Sequence, residues 1–152
     1  AIRKILDDFF DEVMVDSDEF SLSTKRTVQV FSVSKAFHYI ESNADVFDVL
    51  LNNEKTDFFY EQMYDRLANC MKNYYNSVND DQKQLTVPLE LQISFINSAL
   101  LGLIRHWLKD GMIYTARYMT QSVEKMFNQF NSDNIISAGF FVSEEGAPVS
   151  DI

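Results

Sequence analysis

Neither glycine nor proline occurs between Ala1 and Val87; the first proline is Pro88 and the first glycine is Gly102. Sheet proteins need such residues at frequent intervals, because tight turns require the positive or fixed φ that they supply. A stretch of this length without either predicts helices joined by short polar turns. The 152 residues, 46% hydrophobic and 14% aromatic, are one domain's worth, and a chain of that size buries roughly 68–70% of its unfolded surface. The predicted class is all-α: an antiparallel bundle of about six helices.

Helical periodicity begins at once. Ile2, Ile5, Leu6, Phe9, Phe10 and Val13 share one stripe with no cap ahead of it, as in a chain that starts inside a helix whose earlier part is missing. Asp16–Lys25 reads as a polar turn, with Ser23 or Thr24 capping a helix from about Arg26 to Ser42. Its buried face would be Val30, Val33, Phe37 and Ile40. A short helix over Ala44–Leu51 and a turn over Asn52–Lys55 follow. Thr56 would cap a long helix to about Val78, with Phe59, Met63, Cys70 and Tyr74 on one stripe and Tyr60, Tyr64, Leu67, Met71 and Tyr75 on the next. Asn79–Thr86 is a polar connection, and Thr115–Phe130 is a last amphipathic helix. Residues 1–130 thus form the helical unit, and 131–152 a tail that is only partly ordered. In that tail Asn131–Asn134 break the helix, Ile135–Val142 is a strand-like or irregular apolar run, and Ser143–Ile152 is expected to be mobile.

The helix between Pro88 and Gly111 is apolar around most of its circumference. Pro at the start and Gly past the end mark its limits. Leu89, Ile93, Ile96, Leu100, Leu103, Ile104 and Trp107 make one broad face; Leu91, Phe95, Ser98 and Gly102 make a second strip. A surface helix of a monomer needs one apolar face. The second strip is therefore either a contact with a second subunit or part of one large monomeric core. Asn97 and Arg105 sit within this apolar sequence, where a polar group needs a partner.

The formal charge of −10 bears on partners. Duplex DNA binds through Lys and Arg, so this chain is not expected to bind it. Half of the net charge lies in the first 20 residues, where Arg3 and Lys4 face seven acidic residues. Asp7, Asp8, Asp11 and Glu12 lack a calcium-loop spacing and read as a solvated helical face. The lone Cys70 excludes an intramolecular disulfide and reads as a small packing residue. No membrane span or signal peptide pattern is present, so a cytoplasmic location is the expectation.

No phosphate loop, His-Glu-x-x-His motif, nucleophile elbow or Cys pair occurs. No catalytic residue, metal ligand or cofactor is expected, and the chain reads as a non-enzyme. His38 and Glu41 stand in the wrong order for a di-iron bundle, and His106 reads as a packing or interface residue. What remains is a bundle rich in aromatics and Met, a composition that suits an apolar small-molecule pocket. Its candidate lining is Phe37, Phe59, Tyr60, Met63, Tyr64, Leu67, Asn97, Leu101 and Arg105. Plain core packing is the competing reading for each.

The run from Ala99 to Gly111 (small–Leu–Leu–Gly–Leu–Ile–basic–x–Trp–Leu–x–x–Gly) and the passage Asn53–Tyr60 resemble the C-terminal regulatory domain of TetR-type transcriptional regulators, in the version common in Gram-positive bacteria. The resemblance covers about residues 1–130. It implies a ligand-sensing, dimerising domain whose DNA binding resides in an N-terminal helix-turn-helix domain absent here, with residues 1–14 as the linker helix. The last two long helices would pair with their mates as an intersubunit four-helix bundle. The segments Arg26–Leu51 and Thr56–Val78 would wall the effector pocket. The implied interface is Leu91, Phe95, Ser98, Gly102 and His106 with Met119, Val123, Met126 and Phe130. The implied partners are a second copy and a small-molecule effector. A stand-alone helical adaptor that binds another protein is the alternative.

Overall fold

Helix α1 (Ile2–Val13) runs directly into strand β1 (Met14–Ser21), which pairs antiparallel with β2 (Thr24–Ser32). Helices α2 (Val33–Ser42), α3 (Ala44–Leu51), α4 (Phe58–Val78), α5 (Leu89–Lys109) and α6 (Ala116–Phe127) follow, and β3 (Phe141–Val142) returns to pair in parallel with β2. The computed structural model describes residues 2–21, 24–78, 85–128 and 139–142. Most of Asn79–Thr86, together with Phe130, Asn131–Asn134 and Ser143–Ile152, lies outside the described residues.

The fold is all-α in class, with six helices among the described residues and one small sheet in the order β1-β2-β3. The sheet corrects two expectations. Asp16–Ser21, Thr24 and Lys25 are strand and not turn, and Arg26–Ser32 is not the start of a helix. Val28 and Val30 are buried while Thr27 and Gln29 are exposed, the period of two that a strand imposes. Across the pair, Thr27 Oγ1 donates to Asp18 Oδ1 at 3.5 Å, and Gln29 Nε2 donates to Asp16. The helix begins only at Val33 because Ser32 is its cap, its Oγ accepting from Lys35 N–H at 3.2 Å.

The other helix limits follow local chemistry. Thr56 Oγ1 accepts from Phe58 N–H at 3.0 Å at the start of α4. Gly111, at φ 78°, closes α5: Met112 N–H reaches Trp107 O at 2.9 Å and Gly111 N–H reaches Leu108 O at 3.1 Å. That pair of bonds satisfies carbonyls the helix end would leave open, and it needs a left-handed residue that Gly supplies without strain. Thr115 Oγ1 caps α6 by accepting from Tyr118 N–H at 3.1 Å.

One core joins the elements. α2 packs on α6 and on α1, α5 packs on α3 and α4, and β2 lies on α4. Phe9, Phe31, Phe37, Phe47, Met63, Leu67, Met71 and Ile96 are fully buried. Each such side chain contributes about 1.5–3 kcal/mol of transfer free energy. Phe37 meets Trp107 edge-on at 5.4 Å, and Phe9 packs against Tyr39 and Phe47. Glu41 fastens α2 to α6, its Oε2 accepting from Ala116 N–H at 2.9 Å.

Candidate functional site

Helix α5 carries both candidate sites, one on each flank. Its inner face, Ile93, Ile96, Leu100, Ile104 and Trp107, is buried in the protomer. Its outer strip is not: Leu91 is 55% and Phe95 65% exposed, and Ser98, Ala99, Gly102 and His106 are exposed too. Nothing lies within 4 Å of where a Cβ on Gly102 would stand. The second strip therefore does not belong to one large protomer core.

The outer strip continues into a groove of about 280 Å³ between α5 and α6, walled by Leu103, His106, Trp107, Ile113, Tyr114, Tyr118 and Met126, among others. Tyr114 and Tyr118 stack at 4.8 Å with an interplanar angle of 15°, and His106 Nε2 lies 3.3 Å from Asp110 Oδ2. Met126 is half exposed, whereas Met119 and Val123 are buried against the protomer's own helices. The outward face of α6 is accordingly Tyr118, Ser122 and Met126. Tyr114 and Ile113 escaped the sequence reading; the signal was an apolar pair in the short connection after Gly111, where polar turn residues are usual.

Of the nine candidate ligand residues, Phe37, Phe59, Met63, Leu67 and Leu101 are wholly packed core. The other four line the seam between α4 and α5. Arg105 lies over the Tyr60 ring at 4.7 Å and 3.7 Å from Asp57 Oδ1. Tyr60 and Tyr64 are 6.4 Å apart, and Asn97 Nδ2 donates to Tyr64 O at 3.0 Å. Asn97 is 0% exposed, and its Oδ1 accepts no hydrogen bond. A buried carbonyl oxygen without a donor costs about 1–3 kcal/mol. Burial pushes the Tyr60 phenol above its ordinary pKa, and the Arg105 guanidinium partly offsets this. Burial likewise raises the Cys70 thiol, against a smaller opposing pull from Arg66.

Among the described residues no three His, Cys, Asp or Glu side chains gather as a metal site, and no helix is long and apolar enough to cross a membrane. A family model described as transcriptional regulator C-terminal region matches residues 32–129, more than half of the chain. The chain belongs to this TetR-type family. No curated protein and no solved structure matches it significantly. The TetR-type match opens at Ser32, the cap of α2, and closes just past α6. Helix α1, nearly all of the β1–β2 hairpin and β3 lie outside it.

Proposed function

We propose that this regulatory domain of a transcriptional regulator dimerises through the outer faces of α5 and α6 and senses a small molecule at the α4–α5 seam. The observation that carries the dimer is the apolar strip of α5, exposed along Leu91, Phe95, Ser98 and Gly102 and continuous with the groove beside α6. Large exposed apolar patches mark interaction sites. An apolar strip of this kind suits a two-fold axis, where the same patch meets its own copy, with Gly102 allowing close approach of the two backbones. Met119 and Val123 support the face from beneath, and Tyr118 and Met126 meet the partner. Sedimentation equilibrium tests this: a dimer is expected, and a monomer at high concentration refutes it.

The effector reading rests on Asn97 and Arg105. Arg105 and the Tyr60 ring supply the partly exposed rim, and a ligand that parts α4 from α5 would reach the unpaired amide oxygen of Asn97 beneath it, with Phe37, Phe59, Met63, Leu67 and Leu101 as the packed core behind. Small-molecule sites in helical bundles are largely apolar with a few orienting polar groups. DNA reading is assigned to a helix-turn-helix domain that precedes α1 in the full-length regulator, since a chain of charge −10 does not favour a polyanion. The protein acts as a cytoplasmic switch without catalysis. The ligand shifts the DNA-competent state only by its differential affinity for the two arrangements. Operator affinity of the full-length regulator, with and without ligands found by thermal-shift screening, tests the switch; an affinity indifferent to every bound ligand rejects it.

A further inference from the structure

Phe140 and Phe141 are wholly buried although they lie beyond the end of the family match. The Phe141 ring is 5.5 Å from Phe31 of β2 and 5.0 Å from Phe127 of α6. The Phe140 ring is 5.6 Å from Tyr74 of α4 and 6.3 Å from Phe31. Their backbone pairs at the root of the hairpin, Phe141 with Phe31 and Val142 with Ser32. Four residues of chain therefore touch the hairpin, α4 and α6 together. The approach is close at its first residue: a Cβ on Gly139 would stand 1.9 Å from Tyr74 Oη and 3.1 Å from Cζ. Tyr74 is 5% exposed and its ring abuts Phe140, so it has little room to yield.

We propose that Gly139–Val142 is a detachable clasp. It fastens the β1–β2 hairpin to the bundle, and clasp and hairpin open together as one local unit while the α4–α5 core stays closed. The physical reason is the sheet's size. A two-stranded hairpin is marginal in water, and a third strand or an apolar bed is what stabilises it. β3 supplies the third strand, and Phe140 and Phe141 complete the bed. Elements that open locally are those held by few buried contacts; β2 is held to the bundle by Val28, Val30 and Phe31, by Arg26 on the Ser77 carbonyl of α4, and by the two rings of the clasp at its root. The hairpin is also the joint between α1 and α2, so its stiffness limits how far α1 can shift on the bundle. Through Phe141 that joint is in contact with the end of α6. A displacement of α6 is thereby passed to the hairpin that carries α1. The value of this link to a dimeric switch rests on the interface proposed above; the clasp itself does not.

Hydrogen exchange measured by mass spectrometry on the whole chain tests the clasp. In Gly139→Ala and in Phe141→Ala, amides of residues 14–18 and 26–32 are expected to exchange about tenfold faster or more, with α4 and α5 within about twofold of wild type. Adding Tyr74→Phe to Gly139→Ala removes the clashing Oη and should restore part of the protection; adding it to Phe141→Ala should restore none. Unchanged hairpin exchange in both single variants overturns the proposal. So does an equal acceleration in α4 and α5, which would make the strand ordinary core. Because the readout is confined to the hairpin, it can fail with the dimer intact, and the dimer can fail with the clasp intact.

Discussion

Both faces of α5 carry large apolar side chains, and they differ in burial. Ile93, Ile96, Leu100, Ile104 and Trp107 are buried in the protomer, whereas Leu91 and Phe95, on the same helix, stand more than half exposed. Hydrophobicity alone records that the helix carries apolar side chains on two sides. Only the packing reveals that the protomer buries one side and leaves the other exposed. The inner face is held by specific shape, with Trp107 edge-on to Phe37 and its Nε1 donating to Tyr114 O at 2.8 Å. The outer face is smoother, with small residues at Ser98, Ala99 and Gly102.

Substitutions that treat the two faces differently give the sharpest tests. Trp107→Ala should cost about 3–5 kcal/mol of protomer stability in urea denaturation, because it opens a cavity in a packed core. A cost under about 1 kcal/mol would break the distinction from the inner side, since changes of that size are typical away from packed sites. Gly102→Arg should do the reverse. Its Cβ enters open space, so the protomer should keep or slightly gain stability from better helix propensity. The dimer, however, should weaken by about 100-fold or more in sedimentation, roughly 2.7 kcal/mol of association. An unaffected dimer would move the interface off this strip.

Two smaller effects refine the comparison. Thr115→Ala removes the cap of α6 and should lower stability by about 1 kcal/mol by thermal or urea melting. The effect should be the same at every protein concentration if the cap serves the protomer and not the dimer. The Tyr60 phenol, raised by burial beside the seam, should give the smallest signal. Its neutral form is favoured in the fold, so its contribution is complete below the ordinary tyrosine value of about 10 and fades as pH climbs through the raised one. Ultraviolet titration should show this phenol ionising later than free tyrosine, and later still in Arg105→Ala, which removes the charge that favours phenolate. An earlier ionisation in that variant would contradict the stacked geometry.

The helices were legible where composition left one reading. Pro88 and Gly111 bracket α5 to within a residue or two, and Thr56 and Thr115 act as caps at the starts of α4 and α6. The hairpin was not legible. Val30, Val33, Phe37 and Ile40 fit a helical spacing, while Val28 and Val30 fit a strand; Val30 belongs to both patterns, and a short window does not separate them. The strands also meet without the Gly, Pro or Asn-Gly turn that usually announces a hairpin. At the seam, Asn97 and Arg105 declared a need for partners, but their partners are a main-chain carbonyl on α4, the Tyr60 ring and Asp57, none of which a one-dimensional pattern selects. The pairing of β3 with β2 joins distant parts of the chain and rests on tertiary packing, which overrides local propensity in strands.

The carboxylate of Glu41 at the first turn of α6 has a mechanical corollary. It lies at the positive end of that helix's dipole, and Ser32 caps the opposite end of its own helix, α2. Helices α2 and α6 are thus joined by a hydrogen bond as well as by packing. Loss of that carboxylate would leave the Ala116 N–H without its partner and α2 held to α6 by packing alone.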